Sequence, residues 1–175
     1  MSAQPGLPQA ANPDSPPVAA ANASAVAAMR VSSIEAVAKS RLLTASANSL
    51  LVQVAALLAN AQISVVVVCD AAGAPLGTIT ETMLVKRLGL GEADFFTTPA
   101  DEVMSREFVT CAPDDLLADV LAMMQRRGLV QLLLVGPTNK LLGVVNARDG
   151  LRALLAAGNY EEALLRNYVM GIGYQ

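Results

Sequence analysis

Seven consecutive residues, Gly143-Val144-Val145-Asn146-Ala147-Arg148-Asp149, gather the groups with the clearest chemical use. A strand that stops at a small polar residue such as Asn146 and turns into a helix presents unpaired backbone N–H groups and the positive end of the helix dipole. That setting suits a phosphate. Gly143 has no side chain to keep a bound molecule off the backbone. Asp149, one turn into the helix, can accept both neighbouring hydroxyls of a sugar through its two oxygens. The Asn146 amide and the Arg148 guanidinium can each donate to phosphate. Three of these residues also have a purely structural reading: Asn146 as a helix N-cap, Arg148 as a solvated side chain, and Asp149 as a helix-start carboxylate favoured by the dipole.

Composition removes most other chemistry. The 175 residues include no His, so a Ser-His-Asp triad, a His metal ligand and an imidazole acid or base are excluded. Cys69 and Cys111 are too few for a four-thiolate zinc site or a disulfide framework. Neither has an adjacent His or Lys to lower its pKa, so both read as inert. Met123-Met124, with Met104, read as core filling. The neighbouring carboxylates Asp114-Asp115 and Glu161-Glu162 fall at caps and solvated faces, whereas an acid–base pair must converge in a cleft. With 12 Lys and Arg against 15 Asp and Glu, the net charge of −3 lacks the concentrated positive surface that nucleic acid requires.

The longest apolar runs, Ile63 to Cys69 and Leu132 to Val135, fall well short of the roughly 20 residues of a membrane span. The Ala-rich stretch Val18–Met29 has no Lys or Arg ahead of it, unlike a signal peptide. A cytoplasmic, reducing setting with free thiols is expected, with neither membrane nor nucleic acid as partner.

The elements that must position Asn146 and Asp149 emerge when the chain is slid against itself. An offset of 66 residues aligns two segments without a gap. Thr44 falls on Thr110, Leu50 on Leu116, Leu58 on Met124, Ile63 on Leu129, Val67-Val68 on Leu133-Leu134, Leu76-Gly77 on Leu142-Gly143 and Leu88 on Leu154. The chain is an internal duplication. In each copy a short strand (Leu42–Ala45, Phe108–Cys111) precedes a helix introduced by Asn48-Ser49 or Asp114-Asp115. The second copy's helix carries Leu116, Leu117, Val120, Leu121 and Met124 at helical spacing and stops at Gly128. A continuous apolar strand (Val65–Val68, Leu132–Val135), a turn, a second strand (Pro75–Thr80, Lys140–Asn146) and a closing helix (Glu81–Leu88, Ala147–Ala156) follow.

The expected fold is therefore α/β (α+β): two β-α-β-β-α repeats packed sheet to sheet with pseudo-two-fold symmetry, plus a C-terminal helix. The strands do not alternate in polarity, so both sheet faces should be covered. One copy of about 50 residues would be marginal alone, and two can share a core. Ser32-x-x-Glu35 and its counterpart Thr98-x-x-Asp101 read as capping boxes opening short lead-in helices. The expected organisation is a disordered Ala/Pro-rich tail over 1–30, a first repeat over 31–92, a second over 93–156 and a helical extension over 157–175. That extension holds Tyr160, Tyr168 and Tyr174, and either packs on its own domain or forms a dimer contact.

This duplicated pattern resembles the CBS domain family, in its tandem or Bateman-module form, over about residues 32–156. The resemblance rests on the β-α-β-β-α repeat and on local matches. Asp101-Glu102-Val103-Met104-Ser105 looks like the family's lead-in segment, and Ala112-Pro113-Asp114-Asp115-Leu116 like its strand-to-helix turn. Gly143 to Asp149 resembles its nucleotide signature: Gly, an apolar residue, any residue, Ser or Thr, two residues, then Asp. Asn146 departs from the usual Ser or Thr, and its bulk can crowd the site.

The resemblance implies a non-enzymatic regulatory module with no catalytic cofactor. It would bind an adenine nucleotide or adenosyl ligand (AMP, ADP, ATP or S-adenosylmethionine) between the repeats, as a homodimer that signals to a target protein. It implies site roles for Gly143, Asn146, Arg148 and Asp149, and base contacts from Thr110 and Cys111. In the first repeat it implies Gly77 and Thr80, but Met83 replaces the ribose-binding Asp, so that site is expected to be weak or empty. The alternative is a ligand-free dimerisation scaffold whose nucleotide sites have decayed.

Overall fold

Four consecutive valines, Val65 to Val68, show how the chain builds its interior. β-branched side chains are restricted in a helix and pack well on a pleated surface, and successive residues of a strand point to opposite faces. Val66 and Val68 enter one apolar cluster, and Val65 and Val67 enter another. All four are buried, so the strand is covered on both faces, as its unbroken apolar run implies. Burying each valine contributes on the order of 1.5–3 kcal/mol.

The structure, a computed structural model, describes residues 26–60, 63–91 and 93–158. Of the expected tail over 1–30, residues 1–25 lie outside the described residues, as does the tyrosine-bearing extension from residue 159 onward; Met29 and Arg30 are instead ordered, the Met29 carbonyl accepting the Leu117 N–H at 2.8 Å. In chain order the elements are a 3-10 turn (Val31–Ile34), α1 (Glu35–Ser40), β1 (Thr44–Ser46), α2 (Leu51–Asn60), β2 (Val65–Cys69), β3 (Pro75–Thr80) and α3 (Glu81–Gly89). The second copy follows with α4 (Ala100–Val103), β4 (Thr110–Cys111), α5 (Leu117–Arg127), β5 (Gln131–Val135), β6 (Leu141–Asn146) and α6 over residues 147–158.

The strands form two three-stranded sheets, β1-β2-β3 and β4-β5-β6. In each the first pair is parallel and the second antiparallel, and the registers repeat at the offset of the duplication. Thr44 pairs with Val67 and Thr110 with Leu133; Val65 pairs with Thr80 and Gln131 with Asn146. Even the irregularity recurs, between Val68 and Cys69 and between Leu134 and Val135. A central cluster of Val65, Val67, Leu133, Val135, Leu141 and Val144 joins the sheets face to face. The mixed α/β architecture of two β-α-β-β-α repeats matches the expectation.

The lead-in segments are exchanged between copies. Val31, Ile34 and Ala38 precede the first copy but pack into the core of the second, with Leu117, Val120, Leu134 and Val145. Ala100 and Met104 precede the second copy and pack into the core of the first, with Leu51, Val54, Val66 and Ile79. This exchange corrects the reading of Gly143. A Cβ there would lie 2.6 Å from the Ala38 carbonyl carbon and 2.8 Å from its oxygen. A Cβ at Gly77 would lie 2.7 Å from the Met104 side chain and from the Ser105 oxygen. Both glycines are needed because the protein's own backbone crosses them, not to admit a bound molecule.

The capping boxes are also corrected. The turn at Val31 starts from Arg30 without a side-chain cap, while the Ser32 backbone N–H donates to the Pro113 carbonyl at 2.9 Å. The Thr98 hydroxyl donates to the Asp94 carbonyl at 2.9 Å, and Pro99 holds the N-cap of α4. Asp115 accepts the Ala112 N–H at 2.8 Å, closing the turn before α5, whose N-cap is Leu116. Docking onto the opposite copy, rather than local capping, fixes the lead-in segments. Gly128 does end α5 in the left-handed conformation, at φ 64°.

Candidate functional site

Two crevices lie between the copies and correspond to each other under the internal repeat. The Asn146 crevice is lined by Arg41, Ile63, Ser64 and Glu81 from the first copy and by Gln131, Val144, Asn146 and Arg148 from the second, and encloses about 370 Å³. The Thr80 crevice is lined by Val65, Thr78 and Thr80 from the first copy and by Glu107, Phe108, Val109, Leu129 and Leu132 from the second, and encloses about 530 Å³. Volumes of a few hundred Å³ suit small molecules. Gln131 and Val144 line both crevices. The Gln131 amide donates to the Ser64 hydroxyl at 3.0 Å, tying the copies together at that ridge.

Asn146 stands where β6 gives way to α6. Its carbonyl oxygen accepts the Arg148 backbone N–H at 2.9 Å, so it does the local work of a cap. Its amide nitrogen has no hydrogen-bond partner among the described residues, and the same holds for the Arg148 guanidinium. Both therefore remain available to an anion in the crevice they line. Thr80 plays the corresponding local part in the first copy, where its hydroxyl oxygen accepts the Met83 N–H at 3.4 Å at the start of α3.

Asp149 is buried, and both of its oxygens are engaged by Arg41. Nε of Arg41 donates to one oxygen and Nη2 donates to the other at 3.0 Å. The Asp149 side chain is 7% exposed and that of Arg41 31%. This forked pairing is the strongest arrangement of charge-assisted hydrogen bonds open to a carboxylate. Hydrogen bonding to Asp149 raises the pKa of Arg41 further above its ordinary value, although burial works against it. The two oxygens expected to hold sugar hydroxyls thus already hold a guanidinium. That guanidinium also lines the crevice.

The remaining expected residues lie elsewhere. Thr110 is exposed on the short strand β4, and Cys111 is buried in the core of the second copy. Neither lines either crevice, because the β4 register turns Cys111 into the helix-side cluster. Burial, with a smaller contribution from Asp115, pushes the Cys111 thiol up to about 12. Cys69 is likewise raised, first by burial and then by Asp70. Gly77 and Gly143 are covered by the exchanged lead-in segments.

Arg41, Glu107, Phe108 and Gln131 were not among the expected site residues. The offset does place Arg41 on Glu107, which was the available signal. What it lacks is the knowledge that each residue faces the opposite copy's signature strand. Among the described residues no group of three His, Cys, Asp or Glu side chains is placed to hold a metal ion.

A family model described as CBS domain matches residues 31–90 and again 100–156. The CBS domain of a CBS-domain-containing membrane protein from Sphaerobacter thermophilus is 23% identical, with a TM-score of 0.62, covering 77% of this chain and 93% of that one. The conserved CBS domain protein TA0289 from Thermoplasma acidophilum is 21% identical, with a TM-score of 0.58, covering 77% and 76%. The CBS domain pair of protein MJ0100, solved in complex with 5′-methylthioadenosine and S-adenosyl-L-methionine, is 21% identical, with a TM-score of 0.61, covering 73% and 97%. No curated protein sequence matches the chain.

Proposed function

This chain belongs to the CBS domain family, and on that premise we propose that it is a regulatory module without catalytic activity. It binds an adenine nucleotide or adenosyl ligand (AMP, ADP, ATP or S-adenosylmethionine) between its two copies and signals occupancy to a partner protein. The observation that carries this reading is the Asn146 crevice. There Arg41, Asn146 and Arg148, drawn from both copies, converge on one cavity beside the Asp149 carboxylate. Three donors suit a phosphate, and the carboxylate held by Arg41 suits a ribose. The complex of the MJ0100 domain pair supports an adenosyl ligand.

A ligand's ribose would take the Asp149 oxygens from Arg41, leaving that guanidinium to meet the phosphate. Because Arg41 follows α1, which packs on β6, the exchange would alter how the lead-in segment seats on the second copy. A ligand shifts an equilibrium only by its different affinity for the two arrangements, and this contact supplies such a difference. Calorimetric titration with AMP, ATP and S-adenosylmethionine tests the reading. Binding is expected, and Asp149→Ala is expected to weaken a ribose-bearing ligand by about 1.5–3 kcal/mol. No heat from any of them up to millimolar concentration counts against it.

A homodimer is part of this proposal. Val85 on α3 and Leu151 on α6 occupy equivalent positions in the repeat and are 66% and 55% exposed. Paired apolar positions of this kind suit a second copy. No helix of the described residues is long and apolar enough to cross a membrane. The free thiols fit a reducing, cytoplasmic setting.

A second reading, a dimerisation scaffold that takes no ligand, draws support from the Arg41–Asp149 pair, which satisfies the carboxylate without one. A tight dimer whose melting temperature stays fixed in saturating nucleotide would favour it.

A further inference from the structure

We propose that a further cavity, at the opposite end of β2 from the two crevices, binds a small zwitterion with an apolar side chain, a free amino acid, between Asp70 and Lys140. The cavity shares no lining residue with either crevice, so this site stands apart from the nucleotide reading. β2 runs from Val65, in the Thr80 crevice, to Cys69, in the further cavity, a span of about 13 Å.

The cavity encloses about 370 Å³ where the β2–β3 turn of the first copy meets the start of β6 in the second. Across that junction the Leu141 N–H donates to the Gly73 carbonyl at 3.4 Å. Leu42, Ala45 and Leu141 form its apolar wall. Asp70 and Lys140 line it with opposite charges from opposite copies, yet form no ion pair with each other. One Asp70 oxygen accepts the Ala72 and Ala74 N–H groups at 2.9 and 2.8 Å. That holds the carboxylate in place, and its other oxygen has no hydrogen-bond partner among the described residues. The Lys140 ammonium has none either.

The internal repeat shows that neither charge is needed to build the junction. The Asp70 N–H donates to the Ala74 carbonyl at 3.0 Å, and in the second copy the Gly136 N–H donates to the Lys140 carbonyl at 2.9 Å. Gly73 and Asn139 take the same left-handed place in these turns, at φ 82° and 57°. Gly136 stands where the first copy has Asp70, and Ala74 where the second has Lys140. Each turn thus closes without the charge that the other carries. A molecule seated between two unpaired opposite charges is held best when it carries both. The carboxylate of an amino acid meets Lys140, its ammonium meets the open Asp70 oxygen, and its side chain lies against Leu42 and Leu141. An anion alone would face Asp70 and a cation alone Lys140, each with repulsion.

The test is equilibrium binding of L-leucine to the intact chain, beside isocaproate and isoamylamine, which keep its apolar branch and lose one charge each. Leucine is expected to bind more tightly than either analogue by about tenfold, the worth of one charge-assisted hydrogen bond. Lys140→Gln should erase the preference over isoamylamine. Asp70→Asn, which retains a side-chain oxygen to close the turn, should erase the preference over isocaproate. Bound leucine should also slow thiol labelling of Cys69, which lines the cavity. Leucine no tighter than its analogues overturns the proposal, as do preferences that neither variant moves or a Cys69 labelling rate that bound leucine leaves unchanged. No binding of leucine at millimolar concentration overturns it too, whatever the nucleotide titration shows.

Discussion

The Asn146 crevice carries Arg41 locked onto Asp149, whereas the Thr80 crevice carries Glu107, and Met83 stands at the repeat position of Asp149. The two cavities share strand registers, a bulge and a ridge at Gln131 and Val144. Duplication thus preserved the frame while the charged groups diverged. The frame is held by apolar burial and backbone pairing, which many side chains satisfy. The charged groups lie at the crevices rather than in the apolar clusters, where a substitution can change what binds while the packing of the core is kept.

The same comparison extends to the crossings behind the crevices, where the largest effect is expected. Gly143→Ala sets a methyl group against the Ala38 backbone, which cannot yield, and should cost about 2–3 kcal/mol in urea unfolding. Gly77→Ala meets the flexible Met104 side chain as well as the Ser105 oxygen, and should cost about 1–2 kcal/mol. Equal losses would show that the two crossings are equivalent.

Breaking the ion pair comes next. Arg41→Ala should destabilise the fold by about 1–2 kcal/mol, between the near-zero value of an exposed pair and that of a buried one. Glu107→Ala, which breaks no such pair, should leave urea unfolding within about 0.5 kcal/mol of the wild type. Arg41→Ala should also strengthen binding of adenosine, whose ribose then finds a free carboxylate, while weakening AMP. Parallel changes for both ligands would show that Arg41 does not compete with the sugar.

At neutral pH the smallest effect is that of the thiols. Cys111, raised from 9.0 to about 12 by burial, stays protonated when folded. Its contribution to stability is full below pH 9 and declines as pH rises toward 12, because the unfolded chain loses that proton first. Labelling with a thiol reagent at pH 8 should modify Cys69 before Cys111, and Cys111 at the rate of unfolding. Rapid labelling of both would place Cys111 outside the core.

Much of the fold could be read from the residues. The gapless offset, the valine and leucine runs and Gly128 established two copies, the order of elements along each and one helix stop, because these signals are local or periodic. The candidate site was legible only in outline. Asn146 and Arg148 do meet in a crevice, and Thr80 lines its counterpart. Thr110 and Cys111 do not, since a two-residue strand gives no pattern from which to tell a sheet's inner face from its outer one. Gly143 was noticed for the right property, the lack of a side chain, but the object that needs the space there, and equally at Gly77, is the chain itself.

By itself the sequence determined that this protein is a duplicated α/β chain with a polar strand-to-helix turn at Asn146 and an unlike counterpart at Thr80. Apolar periodicity and residue chemistry act over a few positions and survive without coordinates. Only the tertiary structure decided that each lead-in segment crosses to the opposite copy, and that Arg41 occupies Asp149 across a separation of 108 residues. Contacts so distant along the chain are selected by packing, and packing is a property of the assembled core rather than of any segment within it.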